Sequence, residues 1–166
     1  MLLLLAACLL AACRDNSTAN APASATAAVS GHARETARVV RVIDGDTILV
    51  EIGGRQERVR YIGVDTPETV APDRPVGCFG PEASERNKAL VEGKTVELER
   101  DISERDRFDR LLRYVYVDGM MVNAALLRDG YGTSVTFPPD VRENERLRTL
   151  EREARTARRG LWSACR

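Results

Sequence analysis

The alternation of apolar and polar residues predicts β-strands in three neighbouring stretches of the chain. Residues 36–43 and 47–52 are rich in β-branched side chains, and residues 57–64 alternate largely between apolar and charged positions. Alternation with a period of two is typical of a strand that buries one face. The dipeptides Asp44-Gly45 and Gly53-Gly54 separate these stretches, and Asp-Gly in particular favours a tight turn. The pattern therefore predicts a three-stranded meander.

The later segments predict two more strands and three helices. Pro81 and the acids around it begin the first helix and Gly93 follows its end, where these residue types are favoured. Apolar residues of the last helix recur at spacings of three and four, so its arginines and glutamates are expected to form a solvated face. The predicted elements are a helix at 81–92, strands at 95–99 and 111–117, and helices at 122–129 and 140–159.

Together these elements indicate an α+β fold, a five-stranded OB-type Greek-key β-barrel with three α-helices. A chain of 166 residues has room for one domain with a hydrophobic core but not for two. We expect this folded domain to cover residues 36–166.

The N-terminal segment, residues 1–13 with the sequence MLLLLAACLLAAC, is apolar but too short to span a bilayer as a helix. It is typical of a signal peptide, and its Leu-Ala-Ala-Cys endings at Cys8 and Cys13 resemble a bacterial lipobox. Polar residues follow Cys13 directly, so we predict that Cys13 carries the lipid. No Lys or Arg precedes the apolar run, so we expect the true start upstream of Met1. The alternative is a buried N-terminal helix.

Residues 14–35 are rich in Ala, Ser, Thr and Pro and show no periodicity, which predicts a disordered linker between the lipid anchor and the domain. We therefore expect an exported protein that is held at a membrane by its anchor, in the periplasm or at the cell surface, or that is secreted. We also expect it to be monomeric.

The overall charge excludes a protein that coats nucleic acid through bulk charge, because 25 basic residues balance 25 acidic ones. A local basic site is still allowed. All basic residues except Lys88 and Lys94 are arginines, whose planar guanidinium binds phosphate in a bidentate manner. The one histidine, His32, lies in the predicted linker, which argues against a histidine-based triad or zinc site.

Acidic residues follow two of the predicted strands. Asp46 follows the first turn, and Asp65 and Glu68 follow the third strand. If these strand ends converge, their oxygen atoms suit a hard cation, Ca²⁺ or Mg²⁺. Arg60 and Arg110 lie in or beside strands, and carboxylates, a divalent cation and two guanidiniums are the groups that stabilise charge in phosphoryl transfer. Taken singly, each of these residues is better explained as part of a turn, a cap or a solvated side chain.

Longer strings of the sequence resemble the staphylococcal nuclease (thermonuclease) family, and they occur in the family order over residues 36–163. This resemblance implies an OB-type barrel with three helices that cleaves DNA and RNA in the presence of Ca²⁺ and leaves 3′-phosphate ends. The strings are Val42-Ile-Asp-Gly-Asp-Thr47, Arg60-Tyr-Ile-Gly-Val-Asp-Thr-Pro-Glu-Thr69, Phe79-Gly-Pro-Glu-Ala-Ser84, Asp109-Arg110-Leu-Leu-Arg-Tyr-Val-Tyr-Val117, Asp118-Gly-Met-Met-Val-Asn123 and Gly160-Leu-Trp-Ser163.

The resemblance also assigns roles to individual residues. In these roles Glu68 contacts the attacking water, and the two arginines grip the scissile phosphate. The Ca²⁺ ligands are Asp46, Asp65 and the backbone carbonyl of Thr66, and the catalytic residues are Arg60, Glu68 and Arg110.

The sequence departs from the family pattern around the nucleotide pocket. Phe108 stands where a tyrosine is common, Arg107 replaces a usual lysine, and the stretch Ser134-Val-Thr-Phe137 lacks one of the pocket tyrosines. These changes bear on mononucleotide affinity and base preference, whereas the metal and phosphate residues are retained. A non-catalytic nucleic-acid-binding OB module is the main alternative to an enzyme, but it would not need that complete set. A structural lipoprotein is a second alternative, and it would expose an apolar patch.

The remaining cysteines predict a disulfide. If Cys8 leaves with the signal peptide and Cys13 carries lipid, Cys78 and Cys165 are the remaining thiols. An even pair of cysteines in an exported protein is usually bonded. We therefore predict a Cys78–Cys165 disulfide, the alternative being two unpaired cysteines.

Overall fold

The computed structural model describes residues 33–69 and 75–165. The predicted signal peptide with Cys13, and residues 14–32 of the predicted linker, lie outside the described residues. In chain order the elements are β1 (Arg34–Asp44), β2 (Thr47–Ile52), β3 (Arg55–Tyr61), β4 (Val64–Asp65), α1 (Gly80–Val91), β5 (Thr95–Glu99), β6 (Leu111–Val117), β7 (Met120–Met121), α2 (Val122–Arg128), β8 (Thr133–Ser134), α3 (Asn144–Thr156) and α4 (Leu161–Ala164).

The five longest strands form a closed barrel. Neighbouring strands are antiparallel in the order β3-β2-β1-β5-β6. The last strand of this series, β6, also pairs in parallel with β3, so that Val59 lies opposite Leu111 and Tyr61 opposite Arg113. This pairing closes the sheet on itself, and the predicted α+β fold with an OB-type five-stranded barrel and three helices is confirmed. The two-residue strands and the one-turn helix α4 are additions to it.

The first strand begins at Arg34, two residues before the predicted start of the domain. Arg34 forms ion pairs with Glu97 and Glu99 of β5 and lies 3.6 Å from the ring centre of Tyr116. Glu35 forms an ion pair with Arg113 at 2.9 Å. No apolar alternation marks these two charged residues as part of a strand, and their strand conformation depends on partners that are distant in sequence.

Two other elements are shorter than the sequence pattern predicts. The third strand ends at Tyr61 because Gly63 turns the chain with a φ of 76°, and β4 follows in a new direction. The last long helix begins at Asn144, not at Asp140. The buried carboxylate of Asp140 accepts hydrogen bonds from the backbone N–H groups of Ile102 and Ser103, so it ties two loops together.

The core lies inside the barrel and beneath the helices. Almost every residue of β6 is buried, because one face of this strand points into the barrel and α2 covers the other. The helix α2 is buried from Val122 to Leu127. Within the described residues, no helix has the length and apolar character needed to cross a bilayer. The barrel thus provides a rigid frame whose strand ends and connecting loops carry the candidate site.

Candidate active site

The turn between β1 and β2 holds two buried carboxylates, Asp44 and Asp46. A Cβ atom at Gly45 between them would lie 2.6 Å from Oγ1 of Thr66, so only glycine allows the turn to approach this residue. The Asp-Gly-Asp sequence therefore does more than reverse the chain. It lets the first turn pack directly against the segment that follows β4.

Hydrogen bonds attach this second segment, Thr66 to Thr69, to the turn. The backbone N–H and the hydroxyl of Thr66 donate to Oδ2 of Asp46 at 2.8 and 3.1 Å. The hydroxyl of Thr69 donates to Oδ1 of Asp44 at 2.7 Å. Glu68 lies between these two anchored threonines, and its Oε1 accepts a hydrogen bond from the N–H of Thr69. The segment that carries Glu68 is thus held at both ends.

Arg60, near the end of β3, connects the carboxylates of the two segments. Its Nε lies 3.2 Å from Oδ1 of Asp46, and its Nη2 donates to Oδ1 of Asp65 at 2.8 Å. The other terminal nitrogen donates to the backbone carbonyls of Tyr61 and Val64. The Arg60 side chain is 12% exposed, whereas that of Asp65 is 60% exposed. The guanidinium is therefore fixed in a nearly buried position beside a carboxylate that faces solvent.

Arg110 is oriented by Asp106, a residue that the sequence reasoning did not include in the site. Nε and Nη2 of Arg110 lie 2.7 and 2.6 Å from Oδ2 of Asp106. The other carboxylate oxygen accepts the backbone N–H groups of Phe108 and Arg110. In the sequence, the only indication of this pair is an acid four residues before an arginine. This spacing is common in charged loops, so it does not by itself predict an ion pair.

The pKa of Asp106 is lowered from its ordinary value. Burial would raise this pKa, but the hydrogen bonds from the side chain and backbone of Arg110 and from the backbone of Phe108 outweigh burial. The carboxylate is therefore charged at neutral pH and holds the guanidinium of Arg110 in place.

Arg60 and Arg110 line the same cleft. The parallel pairing of β3 with β6 places Arg60 opposite Leu112, two residues after Arg110. The cleft has a volume of about 440 Å³, and its rim includes the exposed rings of Phe108 and Phe137. Two fixed guanidiniums with apolar rings beside them match the phosphates and bases of a nucleic-acid chain.

The carboxylates at the other side of Arg60 repel one another. Burial raises the pKa of the Asp44 carboxyl, and the negative charges of Asp46 and Glu68 raise it further, although hydrogen bonds from Thr69 and Gly45 lower it. Such crowding of negative charge is relieved by a bound cation. The donors are all oxygen atoms, so the residues fit a hard divalent cation such as Ca²⁺.

This acidic region is not a complete metal cage. Within residues 33–69 and 75–165, no three Asp, Glu, His or Cys side chains converge as a set of metal ligands. The predicted ligands Asp46 and Asp65 instead contact one guanidinium, and Thr66 contacts Asp46. A cation held here would take most of its ligands from water and from a substrate phosphate.

The structure thus brings the predicted residues together in two groups that share Arg60. In the first group Asp46 and Asp65 contact its guanidinium, and Thr66 contacts Asp46, with Glu68 two residues after Thr66. In the second group Arg110 lines the same cleft as Arg60 and contacts Asp106. The two predicted cysteines form a disulfide, Cys78–Cys165, with a Cα–Cα distance of 5.9 Å.

Comparisons with known proteins agree with this geometry. A family model described as Staphylococcal nuclease homologue matches residues 58–164. The chain is 39% identical over 138 residues to a thermonuclease of Staphylococcus hyicus, covering 83% of this chain and 82% of that protein. It is 38% identical over 128 residues to a thermonuclease of Staphylococcus intermedius, covering 77% and 76% of the two chains.

A third relative is the endonuclease YncB of Bacillus subtilis, to which the chain is 42% identical over 125 residues. This match covers 74% of the chain but 59% of the relative, which is the longer protein. The family match covers Arg60 near the end of β3, the segment that carries Glu68 and the loop that carries Arg110. The chain belongs to the staphylococcal nuclease family.

Proposed function

We propose that this protein is a nuclease that hydrolyses phosphodiester bonds of DNA and RNA in the presence of Ca²⁺, within chains or from their ends, and leaves 3′-phosphate products. The observation that carries the proposal is the position of Arg60. Its guanidinium contacts Asp46 and Asp65 and lines the same cleft as Arg110. Phosphate-binding groups and acidic groups therefore meet at one place, as hydrolysis of a phosphodiester requires. Relatives named thermonuclease and endonuclease support the same function.

In this proposal the substrate phosphate lies in the cleft between the two arginines. Asp46, Asp65 and the carbonyl of Thr66 would hold Ca²⁺, which when bound supplies Lewis-acid polarisation of the phosphate and a template for its orientation. Arg60 and Arg110 neutralise the negative charge that grows on the phosphate oxygens in the transition state.

Glu68 acts on the water that attacks phosphorus. Its carboxylate accepts a hydrogen bond from this water and holds it for attack, while the anchored threonines on either side limit the movement of the segment. A bond forms between the water oxygen and phosphorus, and the bond from phosphorus to the 5′ oxygen breaks. One of the two protons of this water ends on the leaving 5′ oxygen, the other stays with the new phosphate monoester, and the phosphate remains on the 3′ oxygen of the preceding nucleotide.

A non-catalytic binding module is the alternative function. Such a module would use the cleft and its rings but would have no use for a water-binding acid beside the phosphate. Arg60, Glu68 and Arg110 are all retained, together with both predicted acidic ligands. The complete set favours an enzyme, because the barrel fold alone supports both functions.

The proposed location is outside the cytoplasm, where the enzyme is a monomer attached to a membrane through a lipid on Cys13. The proposal rests on the lipobox-like sequence and on the apolar run before it. Metabolic labelling with a radioactive fatty acid tests it. Label that is lost in Cys13→Ala but kept in Cys8→Ala supports the assignment, and label in Cys13→Ala contradicts it.

The proposed activity is tested by incubating the purified domain with end-labelled single-stranded DNA and, separately, RNA. We expect cleavage of both in Ca²⁺ and little cleavage in Mg²⁺ or in excess chelator. The products should resist extension by a polymerase until a phosphatase removes the 3′-phosphate. Binding without cleavage in Ca²⁺ would support the non-catalytic module, and equal cleavage in chelator would contradict the metal assignment.

A further inference from the structure

We propose that the Cys78–Cys165 disulfide positions Glu68, so that the hydrolytic rate depends on the oxidation state of this bond. The inference rests on the proposed function, because it assigns to the disulfide an effect on the residue that holds the attacking water. It also goes beyond it, because it makes two cysteines at the edge of the site part of the positioning machinery. Neither cysteine contacts the substrate in this account.

The residue next to Cys78 in the chain contacts the backbone of the Glu68 segment. The N–H of Gly77, the residue before Cys78, donates to the carbonyl oxygen of Glu68 at 2.8 Å. A Cβ atom at Gly77 would lie 2.8 Å from Cβ of Pro67 and 3.1 Å from N of Glu68. The chain beside Cys78 is therefore in direct backbone contact with the residue that carries the catalytic carboxylate.

A second contact repeats this arrangement on the other side of Cys78. A Cβ atom at Gly80 would lie 3.0 Å from the carbonyl oxygens of both Pro67 and Glu68. The N–H of Gly80 donates to the carbonyl of Gly77, which closes a turn with Cys78 near its centre. The turn from Gly77 to Gly80 thus packs against the backbone of the Glu68 segment. A shift of Cys78 would displace this turn and with it the contacts that hold Glu68.

The turn itself is held in an unfavourable backbone conformation. Phe79, between Cys78 and Gly80, has a φ of 69°, in the left-handed region that bulky residues rarely adopt. Its ring lies 5.3 Å from that of Tyr131. Without the disulfide, we expect this turn to relax toward a more favourable conformation, because such residues keep their geometry only when the surrounding structure imposes it.

The other end of the disulfide is fixed to the body of the domain. Gly130 and Gly160 lie in two chain segments that are in close contact. A Cβ atom at either glycine would lie within 2.3 Å of a backbone oxygen of the other segment. The N–H of Leu161 donates to the carbonyl of Gly130 at 2.9 Å, and the N–H of Cys165 donates to the carbonyl of Leu161. Cys165 is therefore a fixed attachment point and not a frayed end.

The disulfide thus connects a fixed C-terminal helix to the turn that supports Glu68. Reduction by a dithiol would break the bond between the two sulfur atoms, give both cysteines as thiols and convert the dithiol to its own disulfide. The turn would keep its hydrogen bond to Glu68 but lose its attachment. Arg60 and Arg110 lie on the barrel and its loop, so substrate binding would be affected less than the chemical step.

We would measure kcat and KM on single-stranded DNA in saturating Ca²⁺, at a temperature well below the melting point of every form. The forms are the oxidised protein, the dithiol-reduced protein and Cys78→Ser/Cys165→Ser. We expect kcat to fall by about tenfold in the last two, because a small misplacement of a catalytic group has effects of this size or larger. We expect KM to change little and the serine variant to be insensitive to the dithiol.

A double-mutant comparison separates positioning of Glu68 from a general structural effect. In the Glu68→Gln background, loss of the disulfide should have almost no further effect on kcat, because its target is already removed. In the Arg110→Ala background, loss of the disulfide should keep its full effect. An equal fall in both backgrounds, or an unchanged kcat with both thiols free, would overturn the proposal.

Hydrogen exchange tests the same inference without any activity. Reduction should speed exchange of the amide protons of Thr66, Thr69 and Gly77, and it should leave those of the barrel strand β6 unchanged. If exchange near Glu68 does not change on reduction, the inference is wrong whether or not the protein cleaves nucleic acid. If the oxidised protein does not cleave but exchange responds as expected, the proposed function fails and the mechanical coupling stands.

Discussion

The guanidinium of Arg60 is fixed by two carboxylates and two backbone carbonyls, so its position does not depend on a substrate. Arg110 is fixed in a different way, by a single carboxylate that also organises the backbone of its loop. Preorganised charges of this kind stabilise a transition state without the cost of reorganisation. Asp106 therefore belongs to the site as much as Arg110, the arginine that it orients.

Substitution of Arg110 by Ala should lower kcat by about 10³–10⁵, the effect of removing an arginine that stabilises phosphoryl transfer. The free energy of unfolding should change far less. Arg110→Lys should recover only part of the rate, because an ammonium group cannot make two parallel hydrogen bonds. Steady-state kinetics and urea denaturation measure both effects. Arg152→Ala, on the exposed face of α3, is the matched control. A near wild-type rate in Arg110→Ala would show that Arg110 has no role in catalysis.

Asp106→Asn should lower kcat, though less than Arg110→Ala does, because the amide oxygen still accepts the two backbone N–H groups. It should also change stability in a pH-dependent way. The pKa of Asp106 is lowered below its ordinary value of 3.8, so its ion pair stabilises the fold above that pH and is lost as pH falls through the lower folded-state pKa.

The difference in unfolding free energy between wild type and Asp106→Asn should therefore be largest near neutral pH and shrink below pH 3.8. Urea denaturation at a series of pH values measures it. A difference that grows on acidification would show that the pKa of Asp106 is not lowered in the folded state.

The helix α1 connects the candidate site to the barrel through Asn87. This side chain is fully buried. Its Oδ1 accepts the hydroxyl of Tyr61 at 2.9 Å, and its Nδ2 donates to the carbonyl of Asp44. Burial raises the pKa of Tyr61 strongly, so the hydroxyl stays protonated and donates. The helix thereby holds both the end of β3 and the turn that carries Asp46.

Asn87→Ala should destabilise the protein by about 1–3 kcal/mol, because the buried hydroxyl of Tyr61 would lose its acceptor. The neighbouring variant Lys88→Ala should have nearly the same free energy of unfolding as the wild type, because Lys88 pairs with Glu85 at the surface. Urea denaturation of the two variants tests this. Equal stability of the two would mean that the Tyr61–Asn87 hydrogen bond contributes nothing.

The sequence predicted the elements well where local patterns determine them. Alternation and turn residues located the strands near Thr47 and Leu111, and glycines located the ends of the first two helices to within one residue. The last long helix ends at Thr156, three residues before the end that Gly160 predicted. The parallel pairing of β3 with β6, the inclusion of Arg34 in β1 and the role of Asp140 were not predicted, because each depends on a partner distant in sequence.

For the candidate site too, the sequence predicted what local patterns determine and missed contacts between distant parts of the chain. Resemblance of short motifs indicated candidate residues such as Arg60 and Glu68, but no local pattern indicated how they contact one another. The contact between Gly45 and Thr66, and the support of Glu68 by Gly77, arise only when turns from different parts of the chain pack together. In the sequence, the glycines are the only sign of these close approaches, because a larger residue would not fit at either position.

The basic and acidic residues of the chain balance one another, so binding of phosphate is expected to depend on a few arginines in one cleft. The chain has no net charge, so affinity for nucleic acid must come from the cleft and not from a basic coat. The disulfide acts at the same scale, because it joins residues 87 positions apart. It links the C-terminal helix to the turn before α1 and so closes most of the domain into one loop.

Reduction of this disulfide should lower stability by up to about 4–5 kcal/mol on the loop-closure account, although measured effects are often smaller. The cause is the larger conformational entropy of the unfolded chain once the loop is open. Thermal melting with and without a dithiol measures the effect, with Cys78→Ser/Cys165→Ser as the control that should not respond. An unchanged melting temperature after complete reduction would exclude a stabilising role.

The most direct test of the nuclease account is the initial rate of single-stranded DNA cleavage as a function of free Ca²⁺. The account predicts no rate in chelator, half-saturation at roughly 10⁻⁴–10⁻³ M, the range typical of weak Ca²⁺ sites in extracellular modules, and a large shift to higher Ca²⁺ in Asp65→Ala. The control Asp109→Ala, whose side chain is 84% exposed, should keep the wild-type dependence. A rate that is independent of Ca²⁺, or the same half-saturation in wild type and Asp65→Ala, would contradict the account.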